Sequence, residues 1–255
     1  MSGNAVNLAV WTEPATILLV MVVCFAAAAL SGLSGFGAGL IITTFITPII
    51  GAKAVLPALS VIMLITNASR VAFFRGALDR RVLGLVALTA VPASVVGARI
   101  YVELDATAIQ VFLGLVLVVS IPLRRWLAGR AFRAGTTSLL LFGLIWGFLS
   151  SILVGAGVLV IPMLLGAGLA GPALLATDAA IAVVVNVPKI FAFGRLNALD
   201  PPLFAASLAM GLCTIPGTWV AAWIVRRTDI RIHSLLMEGL VGAGGAVILA
   251  EALRS

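Results

Sequence analysis

Two cations in this 255-residue chain lie inside long, largely apolar stretches, each three residues after an asparagine: Arg70 after Asn67, and Lys189 after Asn186. On a helix, i, i+3 spacing puts amide and cation on one face. Together they could balance the charge of an anion and donate hydrogen bonds to its oxygens. The structural alternative is snorkelling, in which both side chains reach for an interface. Two glycine triplets raise a related chemistry: GAG at 37–39, within SGLSGFGAG (31–39), and GAG at 155–157. Helices that start at such breaks leave free amides that attract anions, and glycine lets a guest approach the backbone closely. Glycine that merely lets helices pack is the alternative there. The candidate binding residues are therefore Ser34, Gly35, Gly37, Gly39, Asn67, Arg70, Gly155, Gly157, Asn186 and Lys189.

Two carboxylates, Asp178 and Glu238, are candidates to carry a coupling proton; Asp178 could instead suit the dipole at the start of its helix. His233, the single histidine, sits beside Arg231 and reads as an interfacial residue. Cys24 and Cys213 stand far apart in apolar runs. One histidine, two separated cysteines and no acidic cluster do not supply a catalytic triad, a zinc site or a paired-carboxylate site. There is also no P-loop. No enzymatic activity, metal or cofactor is expected.

The elements that must position these residues follow from composition. Hydrophobic residues make up 62% of the chain and charged residues 10%, whereas a soluble domain carries about 25% charged residues. That excludes a soluble globule, and it excludes disorder as well. Crossing a bilayer takes about 20 helical residues, so the chain is expected to be an all-α integral membrane protein with short loops. Between Glu13 and Lys53 there is no charged side chain, and between Arg133 and Asp178 there is none either. Breaks at the glycine motifs, turns and charges predict segments at 15–33, 38–50, 54–75, 82–102 and 107–123. After a basic loop (124–133), further segments are predicted at 136–153, 157–169, 172–193, 201–225 and 233–253. Pro92 and Pro216 are expected to kink their helices. Trp11 and Tyr101 on one side, with Trp126 and Trp223 towards the other, fit interfacial belts. The N-terminal stretch lacks a basic region, so no cleaved signal peptide is expected.

The two halves match in register. The GAG triplets are 118 residues apart, the Asn–cation pairs 119, the ALD turns at 77–79 and 198–200 121, and Pro92 and Pro216 124, as are Asp105 and Asp229. The expected organisation is a first repeat at 1–133 and a second at 134–255, each a five-segment bundle with a short interrupted helix. If every segment crosses, ten arginines collect on one side and four basic residues on the other. The arginine-rich side is then cytoplasmic, both termini face outward, and an odd segment number makes the second repeat inverted. Inverted repeats with broken helices are a recurrent plan of secondary transporters. The expected partners are a small anion, membrane lipids and, as an option, further copies of the chain. The net charge of +7 fits arginine facing anionic lipid, and nucleic acid is not expected. A passive anion channel, a cation carrier using Asp178 and Glu238, a membrane scaffold and an enzyme on lipid-linked substrates are the alternatives.

SGLSGFGAGLI (31–41) with RGALDRR (75–81), and GAGVLVIPMLLGAGLAGPALLATDAA (155–180) with GRLNALD (194–200), resemble the two halves of the sulfite exporter TauE/SafE family. The similarity runs over roughly residues 15 to 250. It implies a multi-pass permease of the bacterial cytoplasmic membrane that moves sulfite, sulfonates such as sulfoacetate, or other small organosulfur anions without ATP and linked to an ion gradient. Two positions depart from the family pattern. Thr44 replaces a proline opposite Pro162, and Asp178 replaces a serine, adding a carboxylate that bears on the choice of substrate.

Overall fold

The computed structural model describes residues 14–31, 37–111, 115, 118 and 133–224, which are helical with no strand among them. The helices are α1 (Pro14–Ser31), α2 (Ala38–Ile50), α3 (Ala52–Phe74), α4 (Arg80–Glu103), α5 (Thr136–Leu149), α6 (Val160–Gly166), α7 (Gly171–Arg195) and α8 (Pro201–Ile224). Short 3-10 turns occupy Arg75–Ala77 and Ala156–Leu159, and a further helical stretch begins at 106. The expected segment at 233–253 lies outside the described residues, as do most of 107–123, Ser34, Gly35, Glu238, His233, Trp11 and Trp126 and the side chain of Trp223.

Local chemistry fixes where the helices begin. The two ALD turns are helix caps. Asp79 Oδ1 accepts from the amides of Arg81 and Val82, both at 2.9 Å, at the head of α4. Asp200 Oδ1 accepts from Leu203 at 2.8 Å at the head of α8. Each cap satisfies amides that the first turn leaves without partners. At the glycine motifs the backbone does what other residues resist: Gly37 has φ +110° and Gly155 φ +89°, left-handed backbone at the head of a new helical segment.

Three kinds of contact organise the bundle. The central helices α3 and α7 pack on each other and are the most deeply buried of the long helices. Helix α4 packs on α7, and α8 on α3. The outer pairs are α4 with α5 and α8 with α1. Small residues make those outer contacts close: a Cβ on Gly147 would overlap the backbone of Ala90, and one on Gly217 would overlap the carbonyl of Phe25. Hydroxyl pairs bind α3 to α8, Thr66 to Thr214 at 2.7 Å and Ser69 to Thr218 at 3.0 Å. Among the described residues, five helices are long and apolar enough to cross a bilayer. Leu18, Leu88, Leu144, Phe191 and Trp219 are exposed on their outer faces, a surface suited to lipid.

Several expectations need correction. The helix expected over 136–153 ends at Leu149, and 157–169 is a 3-10 turn followed by a seven-residue helix. Here Ser150 and Ser151 turn the chain out of the helix, and the Ser150 carbonyl accepts from Lys189 Nζ at 2.9 Å. Tyr101 is not in an interfacial belt. It is 1% exposed and donates to the Ala52 carbonyl at 2.7 Å, pinning the corner between α2 and α3.

Candidate functional site

Helices α3 and α7 carry facing polar stripes. On α3, Ser60, Met63, Asn67 and Arg70 recur at steps of three and four residues; on α7, Asp178, Ala182, Asn186 and Lys189 do the same. That period keeps each set on one helix face. The two faces, the end of α1, the turn after α5 and both glycine motifs enclose a cavity of about 150 Å³. Every candidate binding residue among those described lines it: Gly37 and Gly39, Asn67 and Arg70, Gly155 and Gly157, and Asn186 and Lys189. Asp178 lines it as well. Ser34, Gly35 and Glu238 lie outside the described residues.

The charges in the cavity are arranged unequally. Arg70 (8% exposed) and Asp178 (7%) are buried, and their side chains approach to 3.7 Å between Nη1 and Oδ2. Arg70 Nη1 also donates to Asn67 Oδ1 at 3.2 Å, and Asn67 Nδ2 donates to the Met63 carbonyl at 2.8 Å. Asn67 therefore orients the guanidinium while its own amide is held by α3. Asp178 sits two turns into α7, too far along for the dipole of the first turn to explain it; its partner is a cation of the other half. Lys189 is 5% exposed, with its ammonium on the Ser150 carbonyl. The Asn186 carboxamide makes no hydrogen bond among the described residues, although it is buried beside the cavity.

Second contacts hold the backbone that lines the space. Trp146 Nε1 donates to the Ala156 carbonyl at 3.1 Å, fixing the 3-10 turn that presents Gly155–Gly157. Sequence reasoning missed this tryptophan, along with Ser31, Ser60, Thr66 and the Ser150 carbonyl. The helical stripe around Asn67 could have flagged Ser60 and Thr66, because they share its period. Nothing in the sequence marks one carbonyl among many. No group of three metal-ligating side chains occurs among the described residues.

The arrangement is an amide-rich pocket that carries two cations and one carboxylate, with no metal-ligand cluster among the described residues. It can hold a small anion, with oxygens directed at Lys189, Asn186 and the backbone at the glycine breaks. Comparison with known families gives a match to a model described as "Sulfite exporter TauE/SafE", over residues 20–248. No curated protein and no solved structure matches the chain.

Proposed function

The chain belongs to the sulfite exporter TauE/SafE family, as a match over nearly its whole length shows, and on that premise we propose a secondary, gradient-linked carrier of a small sulfur oxyanion, sulfite, sulfoacetate or another sulfonate. The family is one of membrane transporters for sulfite or related anions, so the chain is a multi-pass transporter and not an enzyme. In this reading Lys189 and Arg70 attract the anion, and Asn67, Asn186 and the glycine breaks hold its oxygens. The two halves are inverted repeats that rock about this site in the bacterial cytoplasmic membrane, with both termini outside. Asp178 and Glu238 are the candidates for coupling.

One observation carries the reading: the cavity is lined twice by the same set of positions. Gly37, Ala38 and Gly39 match Gly155, Ala156 and Gly157, and Ser31 matches Ser150. Met63, Thr66, Asn67 and Arg70 match Ala182, Val185, Asn186 and Lys189, all at offsets of 118 or 119. The helix contacts repeat in the same way. The packing of α4 on α7 has its counterpart in α8 on α3, and that of α4 on α5 in α8 on α1. A two-fold relation of this kind supports a single site shared by two halves, which alternating access requires. If all ten expected segments carry the chain across, the basic residues favour inversion, ten on one side against four on the other.

Proteoliposomes loaded with sulfite test the proposal. Labelled sulfite uptake is expected to saturate and to show counterflow. Lys189→Ala is expected to weaken apparent affinity about tenfold or more, the loss of one charge-assisted contact. Flux that rises linearly with concentration and shows no counterflow would mean a channel. Unchanged rate and affinity in both Arg70→Ala and Lys189→Ala would remove the site assignment.

A further inference from the structure

The two halves of the cavity match almost position for position, and the exception is electrostatic. Ser60 and Asp178 are related by the offset of 118 that relates the glycine triplets, and both line the cavity. The first half thus presents a hydroxyl, held on the Leu56 carbonyl at 2.8 Å, where the second presents a carboxylate. That carboxylate pairs across the halves with Arg70 at 3.7 Å, while Lys189 meets only a neutral carbonyl among the described residues. The consequences for the two cations differ. A buried ion pair offsets part of its own desolvation, and removing one partner leaves the other charge uncompensated, which is strongly unfavourable. A buried cation without a counter-ion is costly by itself, and an anion beside it removes that cost.

We infer that Asp178 is a built-in counter-ion that neutralises Arg70, so that the site presents one net positive charge, at Lys189, and selects singly charged anions over doubly charged ones. The inference rests on the anion-carrier reading above and narrows its substrate class. A monoanionic sulfonate, or sulfite carrying one proton, satisfies Lys189 and leaves the Arg70–Asp178 pair intact. A dianion such as sulfate brings a second charge that meets either the pair as it stands or the Asp178 carboxylate itself. On this inference Arg70, held by Asp178, does not attract the anion directly as in the broader reading: it is a positioning residue that ties α3 to α7 through the ion pair, and Lys189 is the residue that touches the substrate.

The test is binding to the purified full-length chain in nanodiscs, by calorimetry at one pH and constant ionic strength, with methanesulfonate as monoanion and sulfate as dianion. Wild type is expected to prefer methanesulfonate by about tenfold or more. Asp178→Asn is expected to raise sulfate affinity about tenfold and so to remove most of the preference for methanesulfonate. Lys189→Gln is expected to lose at least about tenfold for methanesulfonate. Equal wild-type affinity for the two anions overturns the inference without requiring any variant to fold, and leaves the carrier reading standing. An unchanged preference in folded Asp178→Asn overturns it also. Absence of binding by both anions, together with absence of sulfite transport, overturns the carrier reading and this inference with it.

Discussion

At the scale of single residues, two aromatic side chains hold the frame of the cavity through their polar ends. Tyr101 satisfies the carbonyl of Ala52 at the corner from which α3 starts. Trp146 does the same for Ala156 in the turn that lines the site. Tyr101→Phe removes a buried hydrogen bond, an expected loss of about 0.5–1.5 kcal/mol, measured as a lowered unfolding midpoint in detergent. Because Tyr101 does not line the cavity, apparent affinity per folded molecule is expected to stay the same. Trp146→Phe is expected to differ: it frees the turn carrying Gly155–Gly157, so anion affinity falls together with stability. An unchanged affinity in Trp146→Phe would mean that the turn needs no pin. The polar stripe on α3 was legible in advance, since Asn67 and Arg70 follow helical period within an apolar segment. The partnership of Arg70 with Asp178 was not. The two residues are 108 positions apart, and no local pattern states which side chains meet across a bundle.

The helices show where close packing is required and where it is not. Gly143 and Gly147 on α5 lie so near α4 that a Cβ would overlap the carbonyls of Val86 and Ala90. Gly147→Val is expected to force the helices apart at about 1–3 kcal/mol, read from unfolding midpoints. Gly84, inside α4 with open space around its Cβ position, is the matched comparison. Gly84→Ala is expected to raise stability by up to about 1 kcal/mol, because glycine is a poor helix interior. If both substitutions cost the same, the packing account of α4 and α5 is wrong. The limits of α2, α3, α7 and α8 were readable to within about two residues, because charges, glycines and an Asp cap mark them. The end of α5 was not. The stretch from Thr136 to Thr177 is free of charge, and the turn at Ser150 depends on a lysine from a different helix. Short α2, at 13 residues, spans about 20 Å and is too short to cross a hydrocarbon core of about 30 Å alone. Its role is to run from the glycine break at the cavity to the corner at Gly51.

For the whole molecule, the proposed inversion has a geometric consequence that labelling reads directly. With Cys24 and Cys213 replaced by serine, single cysteines at Arg81 and Arg133 are expected to react with a membrane-impermeant reagent from the cytoplasmic face. Cysteines at Lys53 and Arg195 are expected to react from the opposite face. Finding Arg81, after α3, and Arg195, at the end of the equivalent helix α7, on the same side would mean parallel halves and would end the inverted-repeat reading. The residues that recur at matching spacing were legible in the sequence because they are chemically constrained: glycines that adopt positive φ, aspartates that cap, and cations that face a cavity. The asymmetry at Ser60 and Asp178 gives the molecule its polarity of charge, and the repeat pattern alone does not predict it.

The central claim, that an anion sits between the two halves, is tested most directly by a structure of the full chain with selenite, whose selenium scatters strongly in place of sulfur. The account predicts a selenium peak within hydrogen-bonding reach of Lys189, Asn186 and the backbone at Gly155–Gly157, and loss of that peak in Lys189→Ala. A peak elsewhere, or one that persists unchanged without Lys189, would contradict it.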